Sequence, residues 1–172
     1  ASAEADPRMM AGYQRLKTNF DKAFTLIPAP FERVEIPFEG KILRGFFYPA
    51  RVAAGRKAPV VFNYGGADGL LMNGRADGSS APYRARGMSF LDVDGPGQGG
   101  ALRVDKIYAS PDTERYAKAV VDYLVSRPDV DAERIGIHGS SMGGYTAPRA
   151  CTVEKRFKAC AVWSGAFNLQ KD

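Results

Sequence analysis

The feature that most constrains the fold of this chain is a serine that stands between two glycines where an apolar strand meets a helix. Residues 135–138 read I-G-I-H, residues 139–143 read G-S-S-M-G, and a helical pattern runs from Met142 to about residue 150. The backbone at Ser141 is strained in such a turn, and strand and helix approach closely only if Gly139 and Gly143 carry no β-carbon. The spacing therefore predicts a turn that holds the Ser141 hydroxyl in the open, above a helix N-terminus that favours negative charge.

The rest of the chain alternates between strand and helix signals. Strands are predicted at residues 33–38 and 41–48, joined as a hairpin at Glu39-Gly40, and at 58–63, 88–93 and 159–163; helices are predicted at 9–27, around Tyr83 and at 112–126. Strands that alternate with helices form a mostly parallel sheet covered on both faces, and the hairpin adds an antiparallel edge. The predicted class is α/β. Trp163 is expected to fill a core or a pocket wall.

Charge and composition limit the kinds of partner that the protein is expected to bind. The net charge is +5, but Lys and Arg are scattered in runs no longer than two, so we expect no nucleic-acid partner. No apolar run reaches the length of a membrane-spanning helix, so we expect no membrane partner. Cys151 and Cys160 lie in apolar surroundings without metal-ligand spacing. They predict buried free thiols, no metal and a cytoplasmic location.

A second glycine-rich turn offers backbone N–H groups of the kind that a nucleophilic serine requires for catalysis. Tyr64-Gly65-Gly66-Ala67 follows the third predicted strand. Attack on a carbonyl creates an oxyanion, which fixed backbone N–H groups stabilise by roughly 3 kcal/mol each. The N–H of Met142 is one candidate donor, and that of Gly66 or of Ala67 is the other; the sequence does not choose between the last two. An ordinary Gly-Gly turn is the alternative interpretation.

A third glycine-rich segment satisfies a dinucleotide-binding pattern without its context. Residues 95–100 read G-P-G-Q-G-G after a strand. The dinucleotide motif requires a helix that opens on its last glycine, whereas here the chain is expected to run on without a helix until Pro111. We therefore interpret the segment as a tight loop beside the rim of the site, and we expect no cofactor.

The single histidine does not fit the role of general base for Ser141. His138 lies three residues upstream on the strand that leads into the turn. A catalytic base must reach the nucleophile at hydrogen-bond distance, and a side chain of that strand belongs to the sheet. His138 is therefore predicted to be a buried, hydrogen-bonded residue.

Several segments together resemble the α/β-hydrolases. They read P-A-P-F-E-R-V-E-I-P-F-E-G, N-Y-G-G-A-D-G, D-V-D-G-P-G-Q-G and H-G-S-S-M-G-G-Y, and the resemblance extends over nearly the whole chain from Pro28. More narrowly, the chain is similar to the branch that contains dihydropseudooxynicotine hydrolase and the fermentation-respiration switch-type esterases. The serine turn is common to many hydrolases, while D-G-P-G-Q-G with the P-A-P lead-in is more specific to this branch.

The resemblance implies a fold, a mechanism and a missing part. The family sheet has eight strands, with the catalytic acid after the seventh and the histidine after the eighth, and this chain is expected to supply the first six. Residues 1–29 are interpreted as a helical lead-in from an N-terminal cap region, and residues 30–172 as the N-terminal portion of the hydrolase domain. A sheet cut at its sixth strand would expose an apolar edge. We therefore expect a further segment or a second chain to supply Asp and His, and the 172-residue chain alone to be inactive; a homodimer is a further partner hypothesis.

The predicted function is that of a serine hydrolase with Ser141 as nucleophile and a small-molecule substrate. The resemblance implies either an ester or a 1,3-diketone-like compound in which a C–C bond is hydrolysed. One alternative is a non-catalytic protein of the same fold that binds or regulates. Another is a peptidase of the prolyl-oligopeptidase type, which shares the serine turn but for which we find no acidic pair that would bind an amino terminus.

Overall fold

The computed structural model describes residues 6–26, 28, 31–72 and 78–165, and within them the chain forms one mixed sheet with helices on both faces. The strands are β1 (Glu32–Phe38), β2 (Lys41–Tyr48), β3 (Ala58–Tyr64), β4 (Ser89–Val93), β5 (Val130–Ser140) and β6 (Phe157–Trp163). The helices are α1 (Pro7–Leu26), α2 (Ala81–Arg84), α3 (Gly99–Arg103), α4 (Thr113–Ser126) and α5 (Met142–Val153). The predicted end of the first helix, Ile27, lies outside the described residues.

The sheet order is β1-β2-β4-β3-β5-β6. The pairs β1–β2 and β2–β4 are antiparallel, and the pairs β4–β3, β3–β5 and β5–β6 are parallel. The hairpin turns at Glu39 and Gly40, both with positive φ, as a two-residue turn between twisted strands requires. The predicted α/β class and the antiparallel N-terminal edge are confirmed.

Two apolar clusters hold the helices against the sheet. One lies under α4 and α5 and includes Phe62, Ile137 and Leu124, all fully buried. The other, on the opposite face, packs Phe20 and Phe24 of α1 against the buried rings around Phe46. Alternate residues of β3 face these two clusters, because successive side chains of a strand point to opposite faces.

Arg127 ties the end of α4 to the strands beneath it. Its guanidinium lies 3.7 Å from the centroid of the Phe47 ring and donates to both carboxylate oxygens of Asp129 at 2.8 Å. It also reaches Glu32 of β1 at 3.0 Å. A planar cation that bonds and stacks at once fixes the position of α4 relative to β1 and β2.

Two sequence predictions fail at the β6 edge. Within the described residues β6 pairs only with β5, and all of its residues except Phe157 are exposed. Trp163 is 70% exposed rather than packed in a core, and Cys160 is exposed while Cys151 is half-buried. The apolar residues of β6 predict a buried strand, and they would be buried only if a further element covered β6. Both cysteines are free thiols, as expected.

None of the described helices combines the length and the apolar composition that crossing a bilayer requires.

Candidate active site

Ser141 adopts a backbone conformation that few residues tolerate. It connects β5 to α5 with φ 56° and ψ −124°, a strained region for a residue with a β-carbon. Its N–H donates to the carbonyl oxygen of Trp163 at 3.1 Å, and its carbonyl oxygen accepts from the N–H of Gly144 at 2.9 Å. These bonds hold the strained turn in place while the side chain remains exposed.

The flanking glycines are required by close backbone contacts. A β-carbon built on Gly139 would lie 2.1 Å from the carbonyl oxygen of Gly143, and one built on Gly143 would lie 2.0 Å from that of Tyr64. No side chain of any kind fits at those distances. The backbones of β5, α5 and the end of β3 are therefore in direct contact. The sequence predicted this close approach for β5 and α5.

The turn after β3 lies directly against the serine. A β-carbon built on Gly66 would be 3.5 Å from Ser141 Oγ, so the backbone of this turn approaches the hydroxyl closely. Met142 is the first residue of α5, and the first N–H groups of a helix have no partner within it. Met142, Gly66 and Ala67 line one cavity. The structure therefore brings together Ser141 and the residues predicted to stabilise an oxyanion.

Gln98 and Asp94 fix this arrangement, and sequence reasoning did not identify either role. Gln98 is buried, donates from Nε2 to the carbonyl oxygen of Gly66 at 2.6 Å, and accepts from the N–H of Gly95 at 3.0 Å. The two oxygens of Asp94 accept from the N–H groups of Leu71 and Gly100 at 2.7 and 2.6 Å. The segment D-G-P-G-Q-G is the signal that could have located them, because it places one carboxylate and one amide within a tight loop.

The loop at residues 95–100 differs from its prediction in one respect. A helix does open on it, since α3 begins at Gly99, although it is only five residues long. The expectation that no helix would form before Pro111 is therefore wrong. The helix is too short to show a helical periodicity in the sequence and begins with two glycines. Its first N–H groups include that of Gly100, which donates to Asp94. The carboxylate occupies the position relative to these N–H groups that a phosphate takes at a helix N-terminus.

His138 belongs to a line of side chains across three strands. Its Nδ1 lies 3.1 Å from Asn63 Oδ1, and Asn63 Nδ2 donates to Asp92 Oδ1 at 3.2 Å. The three residues are register partners on β5, β3 and β4. Because the Asn63 oxygen is an acceptor, His138 Nδ1 carries the proton in this contact. His138 is hydrogen-bonded, as predicted, but it is half-buried rather than buried, and this partial burial lowers its pKa.

Burial is the largest influence on the pKa values of Asp92 and Asp94, the two carboxyl groups at this end of the strands. It raises the pKa of Asp92 to about 7, against the opposing effect of the Asn63 hydrogen bond, and the nearby Asp94 raises it further. Burial likewise raises the pKa of Asp94, although the N–H groups of Gly100 and Leu71 favour its charged form. Neither carboxyl group bonds to a histidine among the described residues.

A cavity of about 580 Å³ opens beside the serine turn, within the volume range of small-molecule sites. Its walls come from the hairpin between β1 and β2, the turn after β3, the loop at residues 96–98, the segment between α3 and α4, and one face of α5. Tyr64 and Tyr116 contribute aromatic surface, and burial raises the pKa of Tyr64 to about 12, so its hydroxyl stays protonated. The site is thus a concave surface with an exposed hydroxyl at its edge.

Comparison with known proteins places these features among hydrolases. Residues 79–172 match the prolyl oligopeptidase family, and this segment includes the serine turn. The hydrolase LUC6 of a Fusarium species is 34% identical over 95% of the chain, and the 20-hydroxy-prefusarin hydrolase FUS2 of Gibberella moniliformis is 36% identical over 95% of it. The chain spans about 40% of the length of these curated relatives.

Solved structures of hydrolases superpose on this chain as well. The crystal structure of 2,6-dihydroxy-pseudo-oxynicotine hydrolase superposes with a TM-score of 0.83 at 28% identity, covering 96% of this chain and 45% of that one. A puromycin-hydrolyzing peptidase of Mycobacterium tuberculosis superposes with a TM-score of 0.61 at 26% identity, covering 81% of this chain and 23% of that one. The predicted resemblance to α/β-hydrolases, including the branch of the first of these enzymes, is confirmed.

Proposed function

Because the chain belongs to the prolyl oligopeptidase family of α/β-hydrolases, we propose that it carries the nucleophile of a serine hydrolase that acts on a small molecule. The observation that carries the proposal is Ser141 itself. It is exposed, strained, and in contact with the glycine turn that follows β3. Strain of this kind is maintained only where the surrounding structure enforces it, and it occurs at sites of function.

In the proposed reaction Ser141 Oγ attacks the carbonyl carbon of an ester, or of a 1,3-diketone-like compound whose C–C bond then breaks. The N–H of Met142 and that of Gly66 or Ala67 would stabilise the oxyanion, by roughly 3 kcal/mol per donor. Gln98 would keep the second donor in place through the carbonyl oxygen of Gly66. Water then releases the acyl group from the serine.

The general base is proposed to come from outside these 172 residues. His138 is the single histidine, and its Nδ1 is engaged with Asn63 on the sheet. A histidine supplied by a further segment or by a second chain would take the Ser141 proton and return it to the leaving group, oriented by a carboxylate. The exposed strand β6 is adjacent to the serine turn, since Trp163 accepts the Ser141 N–H, and is a suitable place for such a segment to pair.

A peptidase is the second candidate, favoured by the family match and by the similarity to the puromycin-hydrolyzing enzyme. The cavity argues against recognition of a peptide amino terminus. Four cationic side chains line it, against two carboxylates, and one of those carboxylates, Glu39, is paired with Arg115 at 2.5 Å. We therefore favour an ester or C–C hydrolase.

A fluorophosphonate probe applied to the complete native polypeptide tests the proposal. We expect covalent labelling of Ser141, detected by mass spectrometry of the labelled peptide, and its loss in Ser141→Ala. Ser140→Ala is the matched control, because the adjacent serine lies at the last position of β5 and should leave labelling intact. Absence of labelling in a folded protein would instead support a non-catalytic binding or regulatory protein of this fold.

A further inference from the structure

The cavity beside Ser141 extends along one face of α5. Met142, Tyr145, Thr146 and Arg149 all line it and recur at the spacing of a single helix face. At 1.5 Å of rise per residue, Arg149 lies about 10 Å along the helix from Met142. The cavity therefore has a reactive end, at the proposed oxyanion donors, and a remote end at Arg149.

Cationic side chains are concentrated on the cavity walls. They are Lys41, Lys106, Arg115 and Arg149, while Glu39 and Asp112 are the carboxylates of the same walls. Lys41 Nζ donates to the carbonyl oxygens of Asp105 and Lys106, at 2.8 and 3.0 Å, which are dipoles and leave its charge unbalanced. A positive excess in a partly enclosed cavity attracts an anionic ligand, because field lines are focused where water is excluded.

Arg149 can bind a ligand and keep its present partners. Glu114 accepts from Nε at 3.1 Å and from Nη2 at 3.5 Å. A guanidinium carries five N–H donors, so further donors remain for a carboxylate. The side chain is 39% exposed, which leaves it reachable from the cavity.

The start of α4 contributes polar side chains to the same cavity. Thr113 lines the cavity, and its buried Oγ1 lies beside the Tyr64 hydroxyl, which lines the same cavity. The preceding residue, Asp112, makes no side-chain bond to the first N–H groups of α4. The remote end of the cavity therefore has polar side chains on α4 as well as Arg149 on α5.

We propose that this cavity selects substrates that carry a carboxylate remote from the scissile carbonyl, and that Arg149 is the cation that determines this specificity. The inference rests on the proposed function, since it names the substrate class of the same site. Arg149 would bond to the carboxylate, while the carbonyl sits at Ser141. An arginine suits the role because its planar N–H groups match the two oxygens of a carboxylate.

A matched pair of substrates tests the proposal on the complete native polypeptide. The p-nitrophenyl monoester of suberic acid carries a terminal carboxylate, and that of suberamic acid carries a neutral amide of the same shape. We expect kcat/KM for the carboxylate to exceed that for the amide at least tenfold. In Arg149→Gln the ratio should fall to about one, and Arg149→Lys should retain part of it.

Arg156→Gln is the control, because Arg156 is equally exposed and paired with Glu154 but does not line the cavity. Its ratio should match that of the unaltered protein. Because each ratio is taken within one variant, a loss of folded protein cancels. A ratio of one in the unaltered protein, or one unchanged in Arg149→Gln, would overturn the proposal.

A binding measurement separates this inference from the proposed function. Monomethyl suberate, which carries one carboxylate, and methyl suberamate, which carries a neutral amide in its place, are titrated calorimetrically into the Ser141→Ala protein, which binds without turning over. Tighter binding of monomethyl suberate, weakened at least tenfold when Arg149→Gln is added, supports the carboxylate site even if no ester is hydrolysed. Equal affinities for the two compounds sink it, while fluorophosphonate labelling of Ser141 would still leave the hydrolase proposal standing.

Discussion

The carboxyl group of Asp92 lies at one end of the side-chain line through Asn63 to His138, in a setting that disfavours its charge. Burial raises its pKa from the ordinary value near 3.8 to about 7. The folded state therefore holds a proton that the unfolded state releases at a lower pH. The resulting stability is complete below about pH 4 and is lost as the pH rises through about 7.

We expect Asp92→Asn to change this pH dependence. The amide keeps an oxygen that can accept from Asn63 Nδ2 but does not ionise. The free energy of unfolding of the variant minus that of the unaltered protein should rise by up to about 2 kcal/mol from pH 5 to pH 8, because only the unaltered protein loses stability over that interval. Urea unfolding at the two pH values measures it. Asp112→Asn, an exposed carboxylate, is the control, and a gain as large in that variant would contradict the assignment to Asp92.

At the scale of elements, the site depends on how closely β5, α5 and β3 approach. Gly139 and Gly143 face backbone atoms of their neighbours at distances that no β-carbon can occupy. Gly136, on the same strand, has ordinary spacing, since a β-carbon there would meet its nearest neighbour at 3.6 Å. Substituting Gly139 and Gly136 in turn therefore separates the effect of the close backbone contact from the effect of replacing a glycine on a strand.

Gly139→Ala should therefore destabilise the fold by more than about 3 kcal/mol or abolish it, because the backbone of α5 must move away. Gly136→Ala should change the unfolding free energy by less than about 1 kcal/mol, since its contacts are normal. Urea unfolding of both variants and fluorophosphonate labelling of Ser141 measure the outcome. Equal effects of the two substitutions would show that the close contact is not what the turn requires.

At the scale of the whole molecule, the sheet presents one uncovered strand. β6 exposes Val162 and Trp163 on a strand that pairs only with β5 among the described residues. A flat apolar edge with open N–H and C=O groups pairs readily with other chains. The division into a helical lead-in at residues 1–29 and a hydrolase portion at residues 30–172 stays a prediction, as does the source of the missing acid and base.

A polypeptide of residues 1–172 alone should self-associate through β6 and hydrolyse esters only at background rates. Val162→Lys should weaken the association about tenfold, because a charge on an edge strand opposes pairing. Val52→Lys is the control, since Val52 is similarly exposed, 43% against 39%, but lies outside the sheet. Sedimentation velocity over a concentration series measures the association. A monomer at all concentrations, or ester turnover by this polypeptide, would contradict the expectation.

The sequence by itself determined the α/β class, the order and type of the elements other than the short helix α3, and the turn that holds Ser141 between strand and helix. Each of these depends on residues close along the chain, where spacing and the conformational limits of glycine and proline act directly. Only the tertiary structure decided that Asn63 bonds to Asp92 and His138, 29 and 75 residues away, and that Gln98 supports Gly66. It also decided that β6 is uncovered and that Arg149 shares a cavity with Met142. Such contacts arise from strand order and register, which bring distant residues together and leave no periodic trace in the sequence.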